Sequence, residues 1–347
     1  MDPTAADVRE LEDAVLAACS AVFASWQGLR RADVAFDAPK GFSSFTMGVR
    51  PQVAVDPPAV LFRKLEGKDN AILDFDTERE VFLLLGDDGI AAPCLHYDDQ
   101  CRIEAFYQGR TLTAADVFDP DIQRGVADQL YRFHQLEPAR LPESTFFELL
   151  HQQWGAIARH VLWDQRHRFP ADEQALCLEL QAIVDDAVHE RVLRCLPDRA
   201  PVFCHNDTYH GNVMQLDDGD IKLLDFEFSC RNHAAFDVAN FFAETVMVHG
   251  LADPPHFRID APAFTDADLR RFIGFYLDND ADTSGPARQA EATRLLDETR
   301  TCLLLSDYMY AMAALPLALE PIQKIRFIPY AHQRFTKFMN GWNARFG

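Results

Sequence analysis

Val202-Phe-Cys-His-Asn-Asp207-Thr-Tyr-His-Gly-Asn212-Val-Met-Gln-Leu-Asp-Asp-Gly-Asp-Ile221-Lys-Leu-Leu-Asp225-Phe-Glu227 places β-type runs and polar residues side by side inside an otherwise helical half of the chain. Reading Asp217-Asp-Gly-Asp220 as the four-residue loop of a hairpin sets Leu216 against Ile221. Counting outward then sets Asn212 opposite Asp225. Facing residues have Cβ atoms roughly 4.5–5.5 Å apart, so the Asn212 amide oxygen and the Asp225 carboxylate are expected to share one hard cation. Oxygen donors of this kind suit Mg²⁺. Asp217 and Asp218 are read as ordinary turn residues.

Asp207 precedes Asn212 by the Asp-x-x-x-x-Asn interval of a protein-kinase catalytic loop, and Asp225-Phe-Glu227 occupies the place of that family's Asp-Phe-Gly. In phosphoryl transfer, charge spreads over the γ-phosphoryl oxygens; metal neutralises it while a carboxylate aligns the incoming hydroxyl. The pattern therefore predicts Asp207 as base and Asn212 with Asp225 as metal ligands.

Moving outward, helical spacing of Val8, Leu11, Val15, Leu16, Ala18 and Val22 predicts an amphipathic N-terminal helix over 7–25. Short apolar runs at 34–36, 45–49, 60–65 and 101–107, with a helix over 74–85, read as a small sheet lobe. Helical periodicity dominates afterwards, over 119–135, 143–166, 172–195, 232–248, 265–278, 287–315 and 330–343. The expected fold is α+β and protein-kinase-like. It has two lobes: a small antiparallel-sheet N-lobe with a helix over residues 1–110, and a larger, mainly helical C-lobe over residues 111–347.

Through His205-Asn-Asp-x3-Gly-Asn212, Leu223-Leu-Asp225-Phe-Glu227-Phe228 and Phe236-Asp237-Val-Ala-Asn240-Phe-Phe-Ala-Glu244, the chain resembles the choline/ethanolamine kinase family. The likeness extends upstream through Arg102-Ile-Glu104, Gly109-Arg110-Thr-Leu112 and Phe133-His134, and downstream through Ile325-x-Phe327 and Tyr330-Ala-x-x-Arg334-Phe. The resemblance implies ATP and Mg²⁺ as cofactors and transfer of phosphate to the hydroxyl of choline or ethanolamine; another small-molecule phosphotransferase or a non-catalytic binding protein on the same scaffold is the alternative. It implies Asp207 as base with His205 beside it as a positioning residue, and Asn212, Asp225 and Glu227 around the metal. Asp237 and Asn240 are implied to support the catalytic loop. Arg63 paired with Glu78 would reach the nucleotide phosphates, with Lys64 and Glu80 as rivals, and Ser43 and Ser44 lie in a candidate phosphate-covering loop. The head group would meet Glu244, Phe228, Tyr308, Tyr310, Phe327 and Tyr330. Family members in eukaryotes commonly carry tryptophans on the late helix, where this chain has Tyr308, Tyr310 and Met312. Aromatic faces recognise quaternary ammonium, so a strong choline preference is not expected.

Composition agrees with a small cationic substrate. The 347 residues carry 54 acidic and 33 basic side chains, a formal charge of −21 that repels nucleic acid and anionic lipid. Eight scattered cysteines contain no C-x-x-C pair, which fits reduced thiols in a cytoplasmic protein. No secretory signal is read at Met1, and the apolar run from Leu303 to Leu319, interrupted by Asp307 and Pro316, reads as a core helix rather than an integral membrane segment. Self-association into a homodimer is left open by the sequence.

Overall fold

Period-2 and period-3.6 patterning sort the chain into strands and helices in the computed structural model, which describes residues 5–37, 46–65, 73–320 and 324–347. The fold is two-lobed α+β, with a small antiparallel-sheet lobe and a larger helical one. The compact units comprise Met1–Asp69 with Glu78–Gln108, and Asn70–Thr77 with Gly109–Gly347. Ser43 and Ser44 lie outside the described residues.

In the first unit, helix α1 (Ala5–Val22) precedes strands β1 (Val34–Phe36), β2 (Thr46–Pro51) and β3 (Val60–Lys64). Helix α2 (Phe75–Asp87), part of this unit from Glu78 onward, strand β4 (Cys94–Tyr97) and strand β5 (Cys101–Ala105) follow. The antiparallel sheet runs β1-β2-β3-β5-β4. Val15, Leu16 and Cys19 of α1, with Trp26, bury one sheet face made of Met47, Val49, Val60, Phe62, Cys101 and Ile103. Strand alternation sends Arg63 to the opposite face. There it stands across from Arg102, whose guanidinium lies 3.7 Å from the Phe82 ring of α2. β4 is an addition to the sequence expectation; its four residues, interrupted by a bulge, are too short for a clear period.

The second unit opens with β6 (Gly109–Thr111), which pairs with β8 (Val213–Leu216), and β8 in turn with β9 (Ile221–Leu223). Helix α3 (Pro120–His134) starts at Asp119, whose side chain caps the Asp121 and Ile122 amides. Its Phe133 ring stacks at 4.5 Å on Phe203 of β7 (Val202–Cys204) and at 6.0 Å on Phe226. Burying each such ring contributes roughly 1.5–3 kcal/mol and gives the catalytic loop a rigid floor.

Residues 146–164 are helical as expected, but two π turns, Leu150–Trp154 and His160–Asp164, interrupt α4 (Phe146–Leu149) and α5 (Gly155–Arg159). Helices α6 (Ala171–Leu180) and α7 (Asp186–Arg194) follow. Strand β10 (Cys230–Asn232) pairs with β7 and leads into α8 (Ala234–Ala243), buried along nearly its whole length. The expected helix over 232–248 stops early: after a 3-10 turn at Glu244–Val246, Met247–His249, as β11, pairs with Phe257–Ile259, as β12, where Val248 favours strand. Helices α9 (Asp266–Asp278), α10 (Gly285–Leu317) and α11 (Phe327–Phe346) complete the unit. Among the described residues no helix is long and apolar enough to cross a membrane.

Candidate active site

The segment after β7 is held by one buried carboxylate. Asp237 of α8 accepts from the His205 amide at 2.8 Å, the Asn206 amide at 2.7 Å and His134 Nε2 at 3.0 Å. Tyr276 Oη stands 2.8 Å from His134 Nδ1, so the imidazole donates on one side and accepts on the other. Thr208 Oγ1 donates to the Asp237 carbonyl. Asn206 sits at φ 67°, a left-handed conformation that asparagine tolerates better than most residues. Its amide donates to the Phe228 carbonyl at 2.8 Å, and its Oδ1 accepts from Asn232 Nδ2 at 2.7 Å. These bonds turn the chain so that Asp207 stands out from a buried support.

His205 makes two backbone contacts through its ring. Nε2 donates to the Leu224 carbonyl at 2.9 Å, and Nδ1 accepts from the Asp207 amide at 3.2 Å. Burial depresses its pKa, which keeps the ring neutral. With both nitrogens engaged by the main chain, His205 ties strand ends together rather than carrying a proton.

Asp207 is half-buried. Tyr310 Oη donates to its Oδ1 at 3.0 Å, and Asn212 Nδ2 donates to its Oδ2 at 2.7 Å and to its carbonyl at 2.9 Å. Burial pushes the carboxyl well above its ordinary range; the Tyr310 hydrogen bond opposes this, while Asp225, Glu227 and Glu244 push it further up. Several acids thus crowd one point.

The hairpin register differs from expectation by one residue. Leu216 N donates to the Asp220 carbonyl, Gly219 N donates to the Leu216 carbonyl, and Val213 pairs with Leu223. The loop has three residues and closes on Gly219 at φ 96°, a left-handed position that glycine occupies without steric cost. Asn212 therefore lies across from Leu224, whose amide it accepts, rather than Asp225. Asp225 follows the strand at φ 63°, and that left-handed turn redirects the chain at the carboxylate.

These residues fit a hard divalent cation: the donors are all oxygens, their charges repel one another, and the Asn212 amide nitrogen faces Asp207, which turns Oδ1 away from it. Among the described residues, two groups of His, Cys, Asp or Glu side chains have ligand atoms within 4.8 Å of one another, and neither includes Asp225 or Glu227: His134, Cys204 and Asp237; and His96, Asp98 and Cys101. The first is buried and its carboxylate is committed to the loop.

The head-group candidates separate. Tyr308 and Tyr310, two residues apart on α10, point about 200° apart around the helix. Tyr308 is a correction: it is fully buried, donates to the Ile183 carbonyl at 3.4 Å and packs on Phe147 and Phe338. Tyr310 alone of the two reaches Asp207. Asn240 Nδ2 donates to Tyr310 Oη at 3.2 Å, which ties α8 to α10. Glu244 is buried and ion-paired with Arg334 of α11; burial raises its pKa and Arg334 opposes the rise. Arg334 also donates to Asp307 at 2.8 Å and Tyr330 Oη at 3.1 Å. Phe327 is buried at the start of α11, and Phe228 packs edge-on against Trp154 at 5.3 Å. Arg334 went unassigned in the sequence reading; its place one turn beyond Tyr330 was the available signal.

In the first unit Arg63 is half-buried and Lys64 exposed, on opposite faces of β3. Glu78 lies 3.8 Å from the Arg102 guanidinium, which donates to Glu104 at 2.7 Å. Arg63 shares the face of this cluster. Arg102 and Glu104, two apart on a strand, carried that signal. A cavity of about 690 Å³ in the second unit is lined by Leu303, Leu304, Phe264 and Lys337, without Asp207, Asn212 or Asp225. The carboxylates, rather than that volume, locate the chemistry.

His233, at the N-terminal boundary of α8, is buried, and burial with nearby Arg199 lowers its pKa from 6.5 to about 4. The unfolded chain consequently binds the extra proton between these values. Stability from this group is complete above about pH 6.5 and declines as pH falls towards 4, by at most ~3.5 kcal/mol. Denaturant unfolding at pH 7.5 and 4.5 is expected to show a smaller acid loss in His233→Gln than in the natural chain; an equal loss would assign the acid sensitivity elsewhere.

A small sheet lobe followed by a helical lobe, with Asp207 and Asn212 on a braced loop before a β-hairpin, defines a kinase or phosphotransferase-like catalytic fold. The pattern of the choline/ethanolamine kinases matches residues 41–339, and the chain belongs to that family. Probable choline kinase 3 of Arabidopsis thaliana is 26% identical over 245 residues, covering 68% of this chain and 65% of that protein, slightly under two thirds of its length. The choline/ethanolamine kinase of Rattus norvegicus is 22% identical over 298 residues, 82% of this chain and 73% of the relative. The crystal structure of a choline kinase from Cryptosporidium parvum Iowa II superposes with a TM-score of 0.77 at 18% identity, covering 96% of this chain and 95% of that one.

Proposed function

We propose that this chain transfers the γ-phosphoryl group of ATP to the hydroxyl of a small cationic amino alcohol, choline or ethanolamine, giving phosphocholine or phosphoethanolamine. The observation that carries this reading is Asp207, whose two carboxylate oxygens are held by Tyr310 and Asn212 on a loop braced by Asp237, in a chain of the choline/ethanolamine kinase family. Asp207 accepts the hydroxyl proton as the substrate oxygen bonds to phosphorus and the bond from phosphorus to the departing ADP oxygen breaks. Asn212 and Asp225 would hold Mg²⁺, with Glu227 assisting directly or through water; bound there, the ion neutralises developing phosphoryl charge. Arg63, on the face of Glu78 and Arg102, is the candidate for the nucleotide phosphates.

Glu244 and Asp307 together carry two negative charges against Arg334 and Lys337. This compensation weakens Glu244 as an ammonium partner, while loss of Tyr308 from the candidate pocket thins its aromatic wall. Neither head group is therefore expected to dominate. An assay of ADP release across choline, ethanolamine, their methylated intermediates and a control sugar tests the reading. The expected kcat/KM ratio of the two alcohols lies within about a hundredfold, near 2.7 kcal/mol. A larger choline preference would show that aromatic faces still dominate; turnover of the sugar alone would replace amino alcohols with a different substrate class.

A further inference from the structure

The β4–β5 hairpin in the first unit carries a second, unrelated set of ligating side chains. Its pairing starts with Cys94 across from Glu104 but continues with His96 across from Ile103 and Tyr97 across from Arg102. Leu95 is thus the extra residue of a β-bulge. Without it, His96 would oppose Arg102 and share that residue's face, since facing residues on antiparallel strands lie on one side of the sheet. With it, His96 joins the face of Ile103 and Cys101, while Cys94 remains on the other.

The turn completes the arrangement. Asp98 Oδ1 accepts the Gln100 and Cys101 amides at 2.9 and 2.8 Å, and Asp98 Oδ2 lies 2.8 Å from His96 Nε2. An imidazole nitrogen, a carboxylate oxygen and the Cys101 sulfur all stand within 4.8 Å of one another. The His96 and Asp98 side chains are 32% and 43% exposed, which gives an ion a route in, and Cys101 is buried beneath them.

We propose that His96, Asp98 and Cys101 bind a borderline-soft divalent transition metal, Zn²⁺ in the first instance. Nitrogen, oxygen and sulfur donors in one cluster match Zn²⁺ and Co²⁺, whereas Mg²⁺ requires oxygen ligands. Three protein ligands leave a fourth position to water. On binding, the Cys101 S–H bond breaks, its proton passes to solvent, and the sulfur bonds the metal. The ion would clip the hairpin beside the end of β3, where Leu65 N donates to the Gln100 carbonyl. This site is separate from Asn212, Asp225 and Glu227.

The test uses the full chain, stripped with chelator and dialysed, then titrated with Co²⁺ and separately with Zn²⁺. One equivalent of Co²⁺ is expected to bind in the micromolar range with thiolate-to-metal charge-transfer absorption, and Zn²⁺ to displace it and raise the unfolding temperature. Cys101→Ser should remove the charge-transfer band, and His96→Gln should weaken binding at least about tenfold. Cys94→Ser, on the opposite face, should leave both unchanged. Absence of uptake by the natural chain, a band lost in Cys94→Ser but kept in Cys101→Ser, or equal binding by folded His96→Gln would overturn the proposal. His96→Gln alters a partly exposed side chain, so it provides a test even if Cys101→Ser proves unstable.

Discussion

Asp207→Asn is expected to lower kcat by at least about a hundredfold, because a positioned general base contributes typically 10²–10⁴-fold. The same change should leave the unfolding midpoint unchanged or raised. Burial pushes the Asp207 carboxyl up, and repulsion from Asp225, Glu227 and Glu244 adds to that rise. Asparagine removes one charge from that crowd and keeps an oxygen to accept from Tyr310 or Asn212. A transition-state role predicts that kcat and kcat/KM fall together. The measurement is ADP release at saturating Mg²⁺ and ATP, paired with thermal unfolding of the same preparation. Near-normal turnover by a folded variant would remove Asp207 from the base position.

What the sequence disclosed was local. The interval from Asp207 to Asn212 and the order of Asn212, Asp225 and Glu227 are local because one loop, one hairpin and the turn that follows it carry all four. The pairing register was less accessible: a three-residue loop closed by left-handed Gly219 and a four-residue loop differ by one residue, and that difference moves Asn212 from Asp225 to Leu224. Helical period separated Tyr308 from Tyr310 in principle, since two residues on a helix face away from each other. Shared aromatic chemistry suggested a common pocket that the helix does not permit. Arg334 shows a different obstacle. Its partners Asp307 and Glu244 lie 27 and 90 residues away, so no local pattern announces that Glu244 is already paired. The Leu95 bulge was hidden as well, because an extra residue in one strand is defined only against its partner.

Asp225 and Asn212 should fail differently when changed. Asp225→Asn keeps a side chain that tolerates the left-handed backbone at φ 63° while removing the charge proposed to hold Mg²⁺. Its expected result is loss of Mg²⁺-dependent turnover with little change in stability. Asp225→Ala should be equally inactive and less stable by about 1–2 kcal/mol, because a Cβ without local hydrogen bonding resists that conformation. Asn212→Ala removes a neutral ligand, so excess Mg²⁺ should restore part of the activity. Full restoration is not expected: Asn212 also donates to both the Asp207 carboxylate and carbonyl, and its loss frees the base to move. Plots of rate against Mg²⁺ concentration separate these effects, with Asn212→Ala expected to reach a lowered plateau and Asp225→Asn to stay near zero throughout. Equal tolerance of both changes, or full recovery of Asp225→Asn at high Mg²⁺, would show that these side chains do not share one ion.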